Sequence, residues 1–159
     1  MAEDSSRPAA KAEPVPAGRI GAGPGRLLLS FYGVFTVAAL SRSIVQISTK
    51  YHEAPLAYVL SAVAGVVYAV ITVALWRGGE AARKVALACC SAELAGVIAV
   101  GTVTVVDSSA FPDATVWSDF GVGYLFLPIA LPVAGLLWLR RTARTEAEAG
   151  AQQTGGVGV

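Results

Sequence analysis

The chain has 159 residues, of which 55% are hydrophobic and 14% are charged, and its mean hydropathy is +0.61. A typical soluble domain carries about 25% charged residues, so this chain has too few polar side chains to cover a soluble globule. The formal net charge of +1 provides no basic footprint for nucleic acid. The composition therefore argues against a soluble enzyme and against a nucleic-acid-binding protein.

Residues 1–26 form the first segment. They contain four prolines among Ala, Gly and scattered charges, at Pro8, Pro14, Pro16 and Pro24. Because nothing in this segment could bury an apolar face, we predict a disordered N-terminal tail.

Four apolar stretches follow the tail, over residues 27–48, 55–76, 85–106 and 119–139. A helix needs about 20 residues to cross the hydrocarbon core, and a spanning segment must satisfy its own backbone hydrogen bonds. The sequence therefore predicts an all-α fold, with residues 27–141 forming a membrane-spanning four-helix bundle. Residues 142–159 are rich in Ala, Gly and Gln, and we predict that they form a second disordered tail.

The first stretch has an alternative interpretation as a secretory signal peptide. Residues 27–40 have the length of an apolar signal region, and Val37-Ala38-Ala39 resembles a cleavage site. The long leader and the continuation of the apolar stretch past that site favour a membrane span instead.

The basic residues predict the orientation. All 12 Lys and Arg residues except Arg42 and Lys50 lie in the N-terminal tail, in residues 77–84 or directly after the fourth stretch. The opposite loops carry Glu53, Asp107 and Asp113, with Asp119 beginning the fourth stretch. Positive charge favours the cytoplasm, so we expect a multi-pass protein of the cell membrane with both termini cytoplasmic.

Two charged residues, Arg42 and Glu93, fall inside predicted spans, where an ionisable side chain indicates a functional site by default. At 1.5 Å per residue they lie about 22 Å and about 12 Å from the inner surface. This difference is too large for a direct ion pair. We expect Arg42 to extend outward toward Asp107 or Asp119, and Glu93 to face the bundle interior in its protonated form.

The second helix offers a partner for Glu93. Five of its residues share one face, at Tyr58, Ser61, Gly65, Tyr68 and Thr72. Tyr68 lies at the depth of Glu93, so we predict a hydrogen bond between the two side chains. Such polar groups serve either as contacts that hold helices together or as a proton relay or substrate site.

The outer third of the first helix is amphipathic, because Arg42, Gln46 and Thr49 share a face. This face either lines a cavity that is open to the outside and closed by the acidic loop, or marks a helix end that emerges into the lipid headgroups.

Small residues at four-residue spacing predict close packing of the second helix against the third as an antiparallel hairpin. They are Gly65 and Ala69 on the second helix and Ala88, Ala92 and Gly96 on the third. In the fourth helix, Pro128 and Pro132 remove internal hydrogen bonds, so we predict kinks there.

No catalytic or metal-binding pattern is present. Cys89 and Cys90 are adjacent and are expected to remain free thiols, and the single histidine, His52, provides no ligand cluster. We therefore expect neither a cofactor nor a metal, and no enzymatic activity.

The Ala/Gly/Val/Arg-rich composition, the Pro/Ala-rich leader and the segments 54–58 and 115–121 give the chain a resemblance to small four-helix integral membrane proteins of unknown function from high-G+C Gram-positive bacteria. The resemblance implies a location in the membrane and no activity. The sequence favours a non-enzymatic structural or accessory protein that acts through helix–helix and outer-loop contacts, with the bilayer, another membrane protein or a second copy as partner. The alternative is a small transporter or proton-coupled carrier that uses Glu93.

Overall fold

The computed structural model describes residues 23–155, and within that range the chain is helical with no strand. In chain order the elements are α1 (Pro24–Lys50), α2 (Pro55–Arg77), α3 (Gly79–Val106), a short 3-10 segment (Ser118–Tyr124) and α4 (Leu127–Gly155). The all-α prediction is confirmed. The predicted disordered N-terminal tail lies largely outside the described residues.

The helices α1, α2 and α3 are each long and apolar enough to cross a membrane, and the 3-10 segment together with α4 forms a fourth, bent candidate. Much of their apolar surface faces outward. Val34 and Val37 on α1, for example, are 65% and 66% exposed. Contiguous exposed apolar surface of this kind marks contact with lipid or protein. The chain therefore has three to four helices that are long and apolar enough to span a membrane, which is compatible with a membrane protein.

The helices α1 and α2 share the largest helix–helix interface, and a connection of only four residues makes them antiparallel. Gly65 on α2 permits this close packing, because a Cβ atom there would lie 2.8 Å from Cδ2 of Leu40 on α1. Farther along, the hydroxyls of Thr36 and Thr72 are 3.2 Å apart and hydrogen-bond across the same interface.

A single residue, Gly78, connects α2 to α3. Its φ of 66° is left-handed, a conformation that favours glycine. The predicted connection at residues 77–84 is therefore mostly the first two turns of α3. These turns form because Ala, Arg, Lys and Glu are good helix formers and because Glu80 pairs with Lys84 at 2.8 Å, one helical turn away.

The predicted continuous fourth helix at residues 119–139 is broken. The 3-10 segment and α4 meet at an angle of 97°, and the turn between them places Leu125 and Phe126 in the left-handed region, at φ 55° and 58°. Pro128 lies in the first turn of α4 and Pro132 inside it. The break at residues 125–126 thus takes the place of the kink predicted at Pro128. Pro128 is tolerated at the second position of α4, because backbone N–H groups in the first turn of a helix have no intrahelical partner.

The predicted C-terminal tail also differs, because α4 continues through residue 155. Residues 141–149 are mostly Arg, Ala and Glu, which favour helix. Arg83 at the start of α3 also pairs with Glu146 at 2.6 Å. This pair joins α4 to the end of the protein where α2 meets α3, which we call the basic end.

The small residues predicted to pack α2 against α3 have other roles. Gly65 faces α1, and Gly96 accommodates the ring of Trp117, whose Cη2 would lie 2.9 Å from a Cβ atom at that position. Ala88 and Ala92 are exposed, and Ala69 lines a groove. The α2–α3 pair is antiparallel as expected, but its geometry follows from the turn at Gly78.

Candidate functional site

The centre of the protein is a buried polar cluster around Glu93, which is 0% exposed. Its carboxyl oxygen Oε2 accepts a hydrogen bond from the hydroxyl of Tyr32 on α1 at 3.4 Å. The hydroxyl of Tyr32 is also 3.6 Å from Sγ of Cys90. At 3.4 Å the contact is long for an O–H···O hydrogen bond, so Tyr32 holds the carboxyl only weakly.

Tyr68 lies beside Glu93, as predicted, and its hydroxyl interacts with both Glu93 and Trp117. Neither contact meets strict hydrogen-bond geometry, so Oε1 of Glu93, the hydroxyl of Tyr68 and Nε1 of Trp117 are buried without a well-formed hydrogen bond among the described residues. We call Tyr32, Tyr68, Cys90, Glu93 and Trp117 the Glu93 cluster.

No cationic side chain among the described residues pairs with Glu93. The ion pairs of residues 23–155 are Lys50–Glu53, Arg83–Glu146 and Lys84–Glu80, all of them outside the cluster. An unpaired carboxylate buried in an apolar region costs a great deal of free energy. Glu93 is therefore stable in this arrangement as a neutral acid.

Tyr32 was not among the candidates from the sequence. It lies eight residues from Pro24, the first residue of α1, and hence about 12 Å along its helix. Counted from Leu27, where the apolar stretch of the sequence begins, Tyr32 would lie only about 8 Å deep. Depth matching from the sequence therefore does not select it, because the true start of α1 was not known.

The other predicted residues of the α2 face also point into the protein. Tyr58, Ser61 and Gly65 are buried, and Thr72 is half-buried. Ser61 accepts a hydrogen bond at 3.3 Å from the backbone N–H of Val116, which joins α2 to the segment before α4. Only Tyr68 and Glu93 of the predicted polar residues reach the Glu93 cluster.

Arg42 lies in a separate outer layer. It pairs with neither Asp107 nor Asp119, the two expected partners. Instead its guanidinium donates to the hydroxyl of Tyr124 and lies 5.8 Å from the centre of that ring, a cation–π distance. A second nitrogen is 3.5 Å from the carbonyl oxygen of Ala114.

The expected acidic partners of Arg42 are bound elsewhere. Asp107 accepts hydrogen bonds from the backbone N–H and the hydroxyl of Ser109 at 2.9 and 2.6 Å, and these bonds lower its pKa. The backbone N–H of Asp119 donates to the hydroxyl of Thr104 at 2.8 Å. A third carboxylate, Asp113, accepts from Nε2 of Gln46 on α1 at 3.4 Å.

Residues 111–124 therefore form a cap over the Glu93 cluster and are not a free loop. The rings of Trp117 and Phe120 pack on Gly96 and Gly101 of α3, and Val116 and Trp117 are 4% and 6% exposed. Because Trp117 belongs to both the cap and the cluster, any movement of the cap changes the surroundings of Tyr68 and Glu93.

Within residues 23–155, no group of three His, Cys, Asp or Glu side chains is arranged to hold a metal ion. Cys89 and Cys90 are free cysteines, half-buried and buried respectively. His52 lies in the exposed connection between α1 and α2 and packs edge-on against Tyr51, with ring centres 5.9 Å apart.

Comparison of the chain with known protein families, with curated proteins and with solved structures found no match. The Glu93 cluster and its cap are therefore the features from which a function can be inferred.

Proposed function

We propose that the protein is a small proton-coupled carrier of the bacterial cell membrane. In this proposal it forms a four-helix bundle with both termini cytoplasmic, and Glu93 is the group that binds the proton. The observation that carries the proposal is the set of three polar atoms without a well-formed hydrogen bond, on Glu93, Tyr68 and Trp117, buried beside one another in an apolar protein. Each such atom costs about 1–3 kcal/mol.

The chemistry of the cluster suits a group that changes its protonation state. A neutral Glu93 carries an O–H that can donate to the hydroxyl of Tyr68. An ionised Glu93 can accept hydrogen bonds from both Tyr32 and Tyr68, while the indole N–H of Trp117 donates one to the Tyr68 oxygen. Small side-chain movements would exchange one set of hydrogen bonds for the other, because the donors already surround the carboxyl. A polar or cationic solute could therefore replace the proton.

The cap supplies the element that opens the site in this proposal. Its backbone is left-handed at Asp119, Phe120, Leu125 and Phe126, and strained backbone of this kind is concentrated at functional sites and switch regions. Broken helices that border the binding site are also a recurrent design of membrane transporters. Movement of the cap would carry Trp117 away from Tyr68 and open the cluster to the outer side.

Proton binding at Glu93 can be tested without knowing the solute. The purified protein in lipid vesicles is taken through a pH change while the infrared carbonyl band of protonated carboxyl groups is recorded. We expect a band that disappears in Glu93→Gln and persists in Glu148→Gln, a matched change on the exposed surface. An equal loss of this band in both variants, or its persistence in both, would contradict the proposal.

A second candidate function is that of a non-enzymatic accessory protein that binds another membrane protein or a second copy. The observation in its favour is the outward face of α3, where Ala88, Ala92, Ala95 and Ala99 are exposed at a spacing that permits close helix contact. Crosslinking in the membrane from Ala92→Cys in a background with Ser at positions 89 and 90 tests it. A single stoichiometric adduct would support this function. Its absence would contradict it and indicate that this face contacts lipid.

A further inference from the structure

An apolar groove of about 680 Å³ runs along the outside of the α2–α3 pair toward the basic end. Its walls come from Leu40 of α1, from one face of α2 between Val66 and Arg77, and from Ala81, Ala82 and Val85 of α3. Pockets that hold small molecules typically measure about 300–1,000 Å³. The groove is thus large enough for a ligand, and most of its lining is aliphatic.

The length of the groove matches one leaflet of a bilayer. Val66 and Arg77 are about 11 residues apart on α2, so the groove extends about 16 Å at 1.5 Å per residue. The hydrocarbon core of a bilayer is about 30 Å thick, which makes one leaflet about 15 Å. An acyl chain that entered at the basic end would therefore extend along the groove as far as Val66, near the bilayer midplane.

The mouth of the groove carries uncompensated positive charge. Arg77 is exposed and takes part in none of the ion pairs of the described residues, whereas its neighbours Arg83 and Lys84 are paired with Glu146 and Glu80. Gly78 also lines the mouth, and α3 begins directly after it without a side-chain cap. The free N–H groups of such a helix start attract phosphate.

We propose that this groove binds an anionic phospholipid, with one acyl chain along α2 and the phosphate held by Arg77 and the N–H groups at the start of α3. Basic pockets between spanning helices are a known means of headgroup recognition. Because the groove shares no residue with the Glu93 cluster, the lipid site is independent of the carrier proposal.

The test uses the full chain in phosphatidylcholine bilayers, with spin-labelled phosphatidylglycerol or spin-labelled phosphatidylcholine as the probe. Electron paramagnetic resonance measures the immobilised fraction of each probe. We expect wild type to prefer phosphatidylglycerol, and Arg77→Gln to lower this preference by about fivefold, the effect of one arginine near the membrane surface. Arg140→Gln removes the same charge from an exposed position that does not line the groove, and it should retain the preference.

A second variant tests the groove itself. Ala69→Phe places a large ring among the lining residues and should lower the immobilised fraction of phosphatidylglycerol. Ala99→Phe adds the same ring to an exposed position on α3 outside the groove, and should leave that fraction unchanged. The proposal is overturned if wild type shows no preference, if Arg77→Gln retains it, or if Arg140→Gln loses it to the same extent, since equal losses indicate diffuse attraction to the basic surface.

Discussion

The contact between the cap and α3 makes a quantitative prediction at Gly101. A Cβ atom at Gly101 would lie 2.6 Å from Cδ1 of Phe120 and 2.8 Å from the backbone nitrogen of Phe120. Carbon atoms in favourable contact are about 3.5–4.0 Å apart, so Gly101→Ala forces the cap to move by roughly 1 Å. A backbone atom cannot move aside by rotating a side chain, so the whole segment must shift.

The expected cost follows from two opposing effects. Overpacking a close contact costs about 1–3 kcal/mol, while replacing glycine with alanine inside a helix gains up to about 1 kcal/mol. The matched control is Gly33→Ala on α1, where the nearest atom, Cγ2 of Thr72, would lie 4.0 Å from the new Cβ. Gly33→Ala should be neutral or stabilising, and Gly101→Ala should be less stable than this control by the full overpacking cost.

The assay is equilibrium unfolding of the protein in mixed detergent micelles, followed by the fluorescence of Trp117 with the other tryptophans, Trp76 and Trp138, replaced by Phe. The difference in the free energy of unfolding between Gly101→Ala and Gly33→Ala should be about 1–3 kcal/mol. If Gly101→Ala is as stable as Gly33→Ala, the cap does not pack on α3 at this point and the described position of Phe120 is wrong.

Two further predictions concern hydrogen bonds to carboxyl groups. Tyr32→Phe removes the hydrogen bond to Glu93 that is found among the described residues and, because this bond is long, should lower the free energy of unfolding by about 1 kcal/mol, whereas Tyr68→Phe removes a hydroxyl without a well-formed hydrogen bond and should cost less. Thermal unfolding in micelles measures both, and equal losses would contradict the assignment of Tyr32 as the donor. Ser109→Ala should raise the pKa of Asp107 toward its ordinary value of about 3.9, as followed by carboxyl-carbon NMR. Because the folded pKa is depressed, the contribution of Asp107 to stability is present above the unfolded pKa and is lost as the pH falls through the folded pKa. An unchanged titration would show that Ser109 does not bind the carboxylate in solution.

The sequence predicted the elements whose ends have distinct chemical markers. The bounds of α2 were expected at residues 55–76 and lie at Pro55–Arg77, because a proline begins this helix and a glycine ends it. The start of α3 was placed six residues late. Its first two turns are charged, and hydropathy identifies the part of a helix that contacts lipid rather than the whole helix.

The break before α4 could not be found from hydropathy, because a broken and a continuous span have the same composition. Gly121, Gly123 and Pro128 were the available signs of it. The partner of Arg42 could not be predicted either, because Tyr124 is 82 residues away in sequence and its position depends on the turn of the cap. Glu93 was identified correctly as a buried residue, because the energetic cost of a carboxyl inside an apolar span can be inferred from the sequence alone.

The one-residue turn at Gly78 has a consequence for how the protein is made. A connection this short gives α2 and α3 no freedom to enter the membrane one after the other, because the start of α3 cannot remain at a distance while α2 is released into lipid. We therefore expect the two helices to enter the membrane together as a hairpin. Replacing Gly78 with a β-branched residue, which resists the left-handed conformation, should lower the amount of protein that is inserted, as measured from the membrane fraction.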